Sequence, residues 1–307
     1  MRQRTSHIMM IRPAFFGYNE QTAKSNAFQN SLNNLEDANI QAIATQEFEQ
    51  LASEIKNHGV TVNIIDDSLE PKKPDAIFCN NWVSFHDDGT VILYPVCTPN
   101  RRWERRRSVL DMIGQGYHIT NEIDFSHYEE DGKFLESTGS MILDRQHKVC
   151  YACLAIRTDK DLLQKFSEKM GYELVVFDSV DENGIPIYHT NVMMGLAMNY
   201  VVICMESIKD EAQRNQLIQK FKDTNKEIVD ISLDQVKQFC GNVIELENKA
   251  GASLLIMSDR ARHAFTPEHK AIIERHSTIV SAPINTIEKI GGGGARCMVA
   301  EVFLPPL

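Results

Sequence analysis

Residues 287–303 read IEKIGGGGARCMVAEVF: four glycines from Gly291 to Gly294, a lone Cys297, and an apolar run that closes the chain. Alone, the stretch is either a turn followed by a core cysteine or a nucleophile presented where backbone can approach a ligand. Its setting in a repeat is what gives it weight. Upstream, one unit recurs: a polar lip, an apolar strand, a turn, a second strand, an amphipathic helix and a third strand. The first clear copy holds AIFCNNWVSFHDDGTVILYPV, two strands joined at Asp88-Gly89, then NRRWERRRSVLDMI as a helix. The second runs LESTGSMILDRQHKVCYACLAI, helix DKDLLQKFSEKMG and strand YELVVF, with Asp159 near the helix start and Gly171 just past its end. HTNVMMGLAMNYVVICM and CGNVIELENKAGASLLIMS open two further copies.

The lips are evenly spaced. Asn81, Glu136, Asn191, Asn242 and Cys297 lie roughly 55, 55, 51 and 55 residues apart, each beside the start of an apolar strand. The copy that begins at Cys297 stops after one strand. The N-terminus offers the missing pieces: HIMMIRPAF as a strand, TQEFEQLASEIKNHG as a helix and VTVNIID as a strand. This predicts an α/β chain of five pseudo-symmetric units, closed into a ring by the N-terminal strand, with residues 1–307 as a single catalytic domain. Closure covers otherwise exposed strand edges and aims five lips at one centre. The alternative is an open two-layer α/β sandwich.

Composition narrows the function. Of 307 residues 43% are hydrophobic and 24% charged, ordinary for a soluble protein. The net charge of -10 argues against non-specific binding to nucleic acid or an anionic membrane. No apolar stretch approaches the about 20 residues of a membrane span. The apolar part of MRQRTSHIMMIRPAFF is too short and interrupted for a signal peptide. Seven cysteines, an odd number mostly inside strand-like runs, suit reduced thiols in a cytoplasmic protein. Cys150 and Cys153 form a CxxC without the second ligand pair of a zinc site, so no metal is expected there.

A site built from the lips gathers Asn81, Glu136, His189, Asn191, Asn242 and Cys297. Cys297 can attack as a thiolate. His189 can pass protons near neutral pH. Glu136 can accept hydrogen bonds and stabilise positive charge. GGGGAR is weak as a phosphate loop, because no Lys-Ser/Thr follows.

GGGGARC, LESTG and HTNV, in that combination, resemble the amidinotransferase and guanidine-modifying enzymes, the pentein superfamily, over nearly the whole chain. The resemblance implies a five-bladed α/β propeller. It also implies Cys297 as nucleophile, His189 as the histidine of a His-x-Asp segment, and Glu136 as the acid of a Glu-Gly-Gly segment. In such enzymes the cysteine attacks an sp2 carbon bonded to nitrogens, an amine or ammonia leaves, and water hydrolyses the adduct, with no metal or organic cofactor. Two departures matter. Deiminases commonly have Arg-Asp where this chain has Asn80-Asn81, and Asp where it has Asn191; ESTGS further departs from Glu-Gly-Gly-Asp. Amides in place of carboxylates compensate a guanidinium poorly and suit a neutral ureido group. With NNWVSFH, the chain looks most like the citrulline-utilisation hydrolase branch, which implies citrulline going to ornithine, ammonia and carbon dioxide. The alternatives are an arginine deiminase or dimethylarginine-type hydrolase, with Asp87 or Asp88 facing the ligand; an amidinotransferase; and a non-catalytic pentein binding module.

Other residues divide between two readings. His86 is either a ligand contact or a surface turn residue. Arg101, Arg102, Arg105, Arg106 and Arg107 are either a solvated helix face or include a ligand for the substrate carboxylate. Arg296 stands beside the nucleophile, where it could bind carboxylate or lower a thiolate pKa. Phe16, Gly17 and Asn19 are candidate lid residues. The expected partner is a small-molecule amino acid, and a homodimer is the base-rate expectation.

Overall fold

The apolar runs pair into five three-stranded sheets of one topology, in a computed structural model that describes residues 2–26, 28–29 and 37–307. Strands β1 (His7–Arg12) and β2 (Thr61–Asp66) are parallel and flank helix α1 (Asp37–Asn57) in sequence. Next come β3 (Val83–Phe85), β4 (Thr90–Leu93), α2 (Arg107–Gly114) and β5 (Asn121–Asp124). The third sheet uses β6 (Ile142–Asp144), β7 (Val149–Cys153), α3 (Lys160–Met170) and β8 (Glu173–Phe177). The fourth uses β9 (Met194–Leu196), β10 (Tyr200–Ile203), α4 (Glu211–Asp223) and β11 (Glu227–Asp230). The fifth uses β12 (Ile244–Glu247), β13 (Ser253–Ser258), α5 (Pro267–Glu274) and β14 (Thr278–Ala282), and β15 (Ala300–Glu301) ends the series. In each sheet the first strand is antiparallel to the middle one, and a helical crossover returns the third parallel to it. The first strand for β1 and β2 is β15, which pairs antiparallel with β1, Ile8 opposite Glu301. The N-terminal strand thus completes the C-terminal copy, as its truncation predicted.

The middle strands β1, β4, β7, β10 and β13 are apolar on both faces because both faces are buried. In β1, Met9 and Ile11 join the core shared with β3 and β4, while Ile8 and Met10 join the core shared with β12 to β14. In β7 the alternation sends Cys150 and Cys153 into different cores, so the two thiols of the CxxC do not face one ligand. No helix among the described residues is long and apolar enough to cross a membrane.

Three boundaries differ from expectation. The first helix begins at Asp37, ahead of Thr45, because Ile40, Ala44, Phe48, Leu51, Ala52 and Ile55 continue one buried stripe. NRRWERRRSVLDMI is not one helix: a 3-10 turn, Pro99–Glu104, precedes α2. Such a turn stacks residues i and i+3, and Arg101 there binds Glu104 with two hydrogen bonds, 2.8 and 2.9 Å. The closing run Met298–Leu304 pairs only at Ala300–Glu301. Four of the five lips also form single helical turns, Cys79–Asn81, Ser137–Ser140 after Glu136, Thr190–Met193 and Ala295–Met298; only Asn242 precedes its strand directly.

Candidate active site

Cys297 lies in the Ala295–Met298 turn, 7% exposed, against a small cavity. The glycines explain how the chain reaches it. Gly292 has φ +64, and a Cβ there would come within 2.8 Å of Asn26 and of the Gln29 backbone nitrogen. The cysteine sulfur accepts from Asn191 Nδ2 at 3.3 Å and Asn242 Nδ2 at 3.1 Å. Asn242 is fixed in orientation, since Nδ2 also donates to the Asn191 carbonyl at 3.1 Å and Oδ1 accepts from the Cys297 N–H at 3.4 Å. Two amide donors therefore set the sulfur as an acceptor. The Asn191 Oδ1 has no hydrogen-bond partner among the described residues.

Glu136 and His189 form the second half of the site. His189 Nε2 is 2.7 Å from Glu136 Oε2, and the carboxylate also takes the Cys97 N–H at 2.9 Å and an ion pair with Arg157 at 3.5 Å. Burial pushes the Glu136 carboxyl up, but Arg157 and the His189 hydrogen bond outweigh it and hold the group well below the usual carboxylate range. Burial pulls His189 down to about 4 against the opposing pull of Glu136, so the ring is neutral at neutral pH. With Nε2–H given to Glu136, Nδ1 carries the lone pair able to take a proton. Gly139 makes the approach of the lips possible: a Cβ there would stand 2.5 Å from Asn81 Nδ2 and 3.0 Å from His189 Nδ1.

Arg101 is the one member of the arginine run that lines the cavity. It is buried, donates to Asn81 Oδ1 at 2.8 Å and to the Phe78 carbonyl at 3.2 Å, and pairs with Glu104. Burial pushes Glu104 up to about 7, with Arg101 opposing. Arg102 and Arg105 pair with Glu129, Arg106 with Asp67, and Arg107 with Asp111 and Glu122. The single solvated helix face is thus replaced by one inward arginine and four that pair away from the cavity.

Three sequence expectations are corrected here. His86 is neither a surface residue nor a cavity residue: it is fully buried, its Nε2 2.8 Å from Ser84 Oγ and its ring beside Phe166. Arg296 turns away from the cysteine, donating to the Val299 carbonyl at 2.8 Å and to Glu301 at 3.0 Å, because the turn sends consecutive side chains to opposite sides. Asp87 is half-buried and Asp88 exposed in the β3–β4 turn, and neither lines the cavity. Asn80 is buried beside the site, its Oδ1 accepting from Asn81 at 3.2 Å. Phe16 and Asn19 are buried beside the site, but Thr22 and Asn26 supply the cavity wall.

Sequence reading missed Asp75, Arg157 and Tyr188, which also line the cavity. Asp75 accepts from Asn19 at 2.8 Å, Thr22 at 2.7 Å and Gln29 at 3.3 Å. Arg157 donates to Ser25 Oγ at 2.6 Å and lies 4.8 Å over the Tyr188 ring. The available signal was a charge at the edge of an apolar run, PDAIF for Asp75 and LAIRTD for Arg157. Among the described residues no group of three or more His, Cys, Asp or Glu could hold a metal ion.

Solved structures share this fold. The cyanobacterial arginine dihydrolase ArgZ of the ornithine–ammonia cycle, in its apo form, superposes with TM-score 0.75 at 18% identity, over 98% of this chain and 41% of that one. This chain therefore spans less than half the length of that ArgZ chain. The substrate-bound N-terminal domain of ArgZ gives TM-score 0.74 at 18% identity, over 98% and 99%. A dimethylarginine dimethylaminohydrolase carrying an adduct with S-methyl-L-thiocitrulline gives 0.65 at 14%, over 97% and 99%. No curated protein sequence matches the chain. The sequence does match, over residues 12–304, the family described as N,N dimethylarginine dimethylhydrolase, eukaryotic. The chain belongs to that family, a cysteine-dependent group of hydrolases acting on carbon–nitrogen bonds within the pentein, amidinotransferase-like superfamily.

Proposed function

We propose that the protein hydrolyses the ureido group of citrulline to ornithine, ammonia and carbon dioxide, with Cys297 as nucleophile, His189 as proton carrier and Glu136 as the group that orients the histidine and stabilises it while it carries the proton. One observation carries the substrate. The Asn191 amide stands against the sulfur with Oδ1 unfilled, while each carboxylate nearby is engaged: Asp75 by three donors, Glu104 by Arg101, Glu136 by His189, Arg157 and the Cys97 N–H. A guanidinium needs a carboxylate to meet its charge, whereas a neutral ureido N–H needs only a carbonyl-type acceptor. In this reading Asn81, Asn191 and Asn242 hold the ureido end. Arg101 and Arg157 serve the substrate carboxylate.

In this reading the reaction runs in two stages. Neutral His189 takes the thiol proton at Nδ1, and the thiolate adds to the ureido carbon. The bond to the terminal nitrogen breaks, and ammonia leaves with the proton that His189 returns. Water, deprotonated by His189, cleaves the thiocarbamate. The carbamate so released loses carbon dioxide to give ornithine.

The same reading takes residues 1–307 as one domain whose sheets close as a five-bladed propeller. The β1–β15 pairing and the cores shared between successive sheets support it. Seven free thiols fit a reducing cytoplasm. A second reading, hydrolysis of a guanidino amino acid, is favoured by the Asp75 carboxylate on the cavity wall. Purified protein incubated separately with citrulline, arginine, agmatine and dimethylarginine decides between them. Ornithine from citrulline, absent in Cys297→Ala, is the expected result. Turnover of arginine or dimethylarginine without turnover of citrulline overturns it.

A further inference from the structure

Cys297 and its neighbour Arg296 line different cavities. The second is a small recess at the first strands β6, β9 and β12, with Gln3, Thr138, Arg145, Glu245, Arg296 and Glu301 as its polar lining. It holds two arginines and two glutamates, but they do not all pair with one another. Arg296 is paired with Glu301 at 3.0 Å. Glu245 accepts from Ser253 at 2.6 Å and the Met198 N–H at 2.7 Å, with Arg4 at 3.8 Å. Arg145 is left over. It is 2% exposed, and its guanidinium carbon lies 4.0 Å from the centre of the Phe303 ring. Its side-chain nitrogens have no hydrogen-bond or ion-pair partner among the described residues.

A buried cation is normally paired, because removing its hydration is costly. An aromatic face offsets part of that loss but uses the flat side of the guanidinium and leaves the N–H edge unfilled. That edge presents parallel donors whose spacing matches two oxygens of one carboxylate or phosphate. Lysine would offer a point charge without the fork. We propose that this recess is a binding site for a compact oxyanion, a carboxylate or inorganic phosphate, held by Arg145 and separate from the Cys297 cavity. Arg296 and Glu301 satisfy each other, and Glu245 has Ser253, the Met198 N–H and Arg4, so neither glutamate is left to meet Arg145. Thr138 on its wall belongs to the same turn as Gly139, which abuts Asn81 and His189, so the two cavities share one partition.

The test is calorimetric titration of the full chain with sodium phosphate and, separately, sodium acetate at fixed ionic strength. Saturable one-to-one binding is expected. It should weaken at least tenfold in Arg145→Lys, vanish in Arg145→Met and persist in Arg101→Met, which alters only the cysteine-side cavity. Tighter phosphate would identify the ligand as an inorganic oxyanion, and tighter acetate as the carboxylate of a small metabolite. The proposal is overturned by no saturable binding, by binding unchanged in Arg145→Lys, or by binding lost in Arg101→Met. Arg145→Lys keeps the charge and decides the matter should Arg145→Met fail to fold.

Discussion

The lip turns and the outer helices are both short helical pieces, and they are held in opposite ways. Helix α3 is secured from within its own sequence. Asp159 accepts from the N–H groups of Asp161 and Leu162, and one stripe of Leu162, Leu163 and Phe166 is buried. The turn at Ser137–Ser140 is secured from outside. Ser137 Oγ donates to the Val83 carbonyl at 2.9 Å, Ser140 Oγ to the Arg157 carbonyl at 2.6 Å, and Thr190 Oγ1 to the Ser140 carbonyl at 2.6 Å. Ser137 itself has φ +45, uncommon for a residue with a side chain. An element tied to three distant segments has little freedom to move, which suits a place where reacting groups must stay aligned. Changes at the lips should therefore cost function first, and changes in the outer helices only stability.

The largest effect is expected at the sulfur. Cys297→Ala removes the only thiol on the cavity wall while keeping the turn, so turnover should fall by at least about a thousandfold. Thermal stability should hardly change. Measurable turnover in that variant would break the contrast at its centre.

Next is Glu136→Gln. The amide cannot compensate Arg157, which is 1% exposed, nor stabilise the histidine while it carries a proton. Leaving a buried cation unpaired costs about 3–5 kcal/mol, and loss of the oriented proton carrier should lower kcat about 100- to 10,000-fold. Urea unfolding and initial rates check the two halves. A variant that lost stability but kept kcat would confine Glu136 to architecture.

A smaller effect appears on acidification. Folded His189 stays neutral down to about 4, while in the unfolded chain it protonates near 6.5. Across that window the unfolded chain binds the extra proton, so stability falls as pH falls, and the contribution is constant below about 4. Glu136 acts in the same direction at lower pH, since its depressed carboxyl favours the folded state until it is protonated. Glu104 and Glu288, pushed up to about 7 by burial, act with opposite sign. The difference in unfolding free energy between wild type and His189→Gln, followed from pH 7 to 4, isolates the histidine. A difference that does not change across that range would mean the ring takes up its proton alike in the folded and the unfolded chain.

This division also explains what the sequence disclosed. The five-unit repeat, the N-terminal strand completing the last sheet and the caps of α3 all follow from period, spacing and residues within a few positions of each other. Cys297, His189 and Glu136 were legible jointly, because the repeat gave them equivalent places. Arg157 and Asp75 were not, because their partners lie 132 residues away at Ser25 and 56 away at Asn19. Arg296 was misread for a related reason. Adjacency in sequence to the nucleophile says nothing about which side of a turn a side chain takes, and the Glu301 pairing that fixes it is visible only in three dimensions. The 3-10 turn at Arg101 likewise serves a tertiary contact, the bond to Asn81, which helix periodicity does not encode.

The smallest effect tests the other side of the contrast. Asp159→Ala removes two side-chain bonds at the start of α3, and nothing else in the chain depends on that carboxylate for a hydrogen bond among the described residues. Loss of an N-cap costs about 1 kcal/mol. The helix should remain, because Leu162, Leu163 and Phe166 still pack into the core beneath it. Initial rates and KM should match wild type, while the urea midpoint falls slightly. Should this surface cap change KM, α3 would be coupled to the cavity, and the nearest link is Arg157, two residues before the cap and on the cavity wall. A cap effect on KM that disappears in an Arg157→Lys background would locate that coupling. A KM unchanged in Asp159→Ala would confirm that the outer helices stabilise the sheets without tuning the chemistry at the lips.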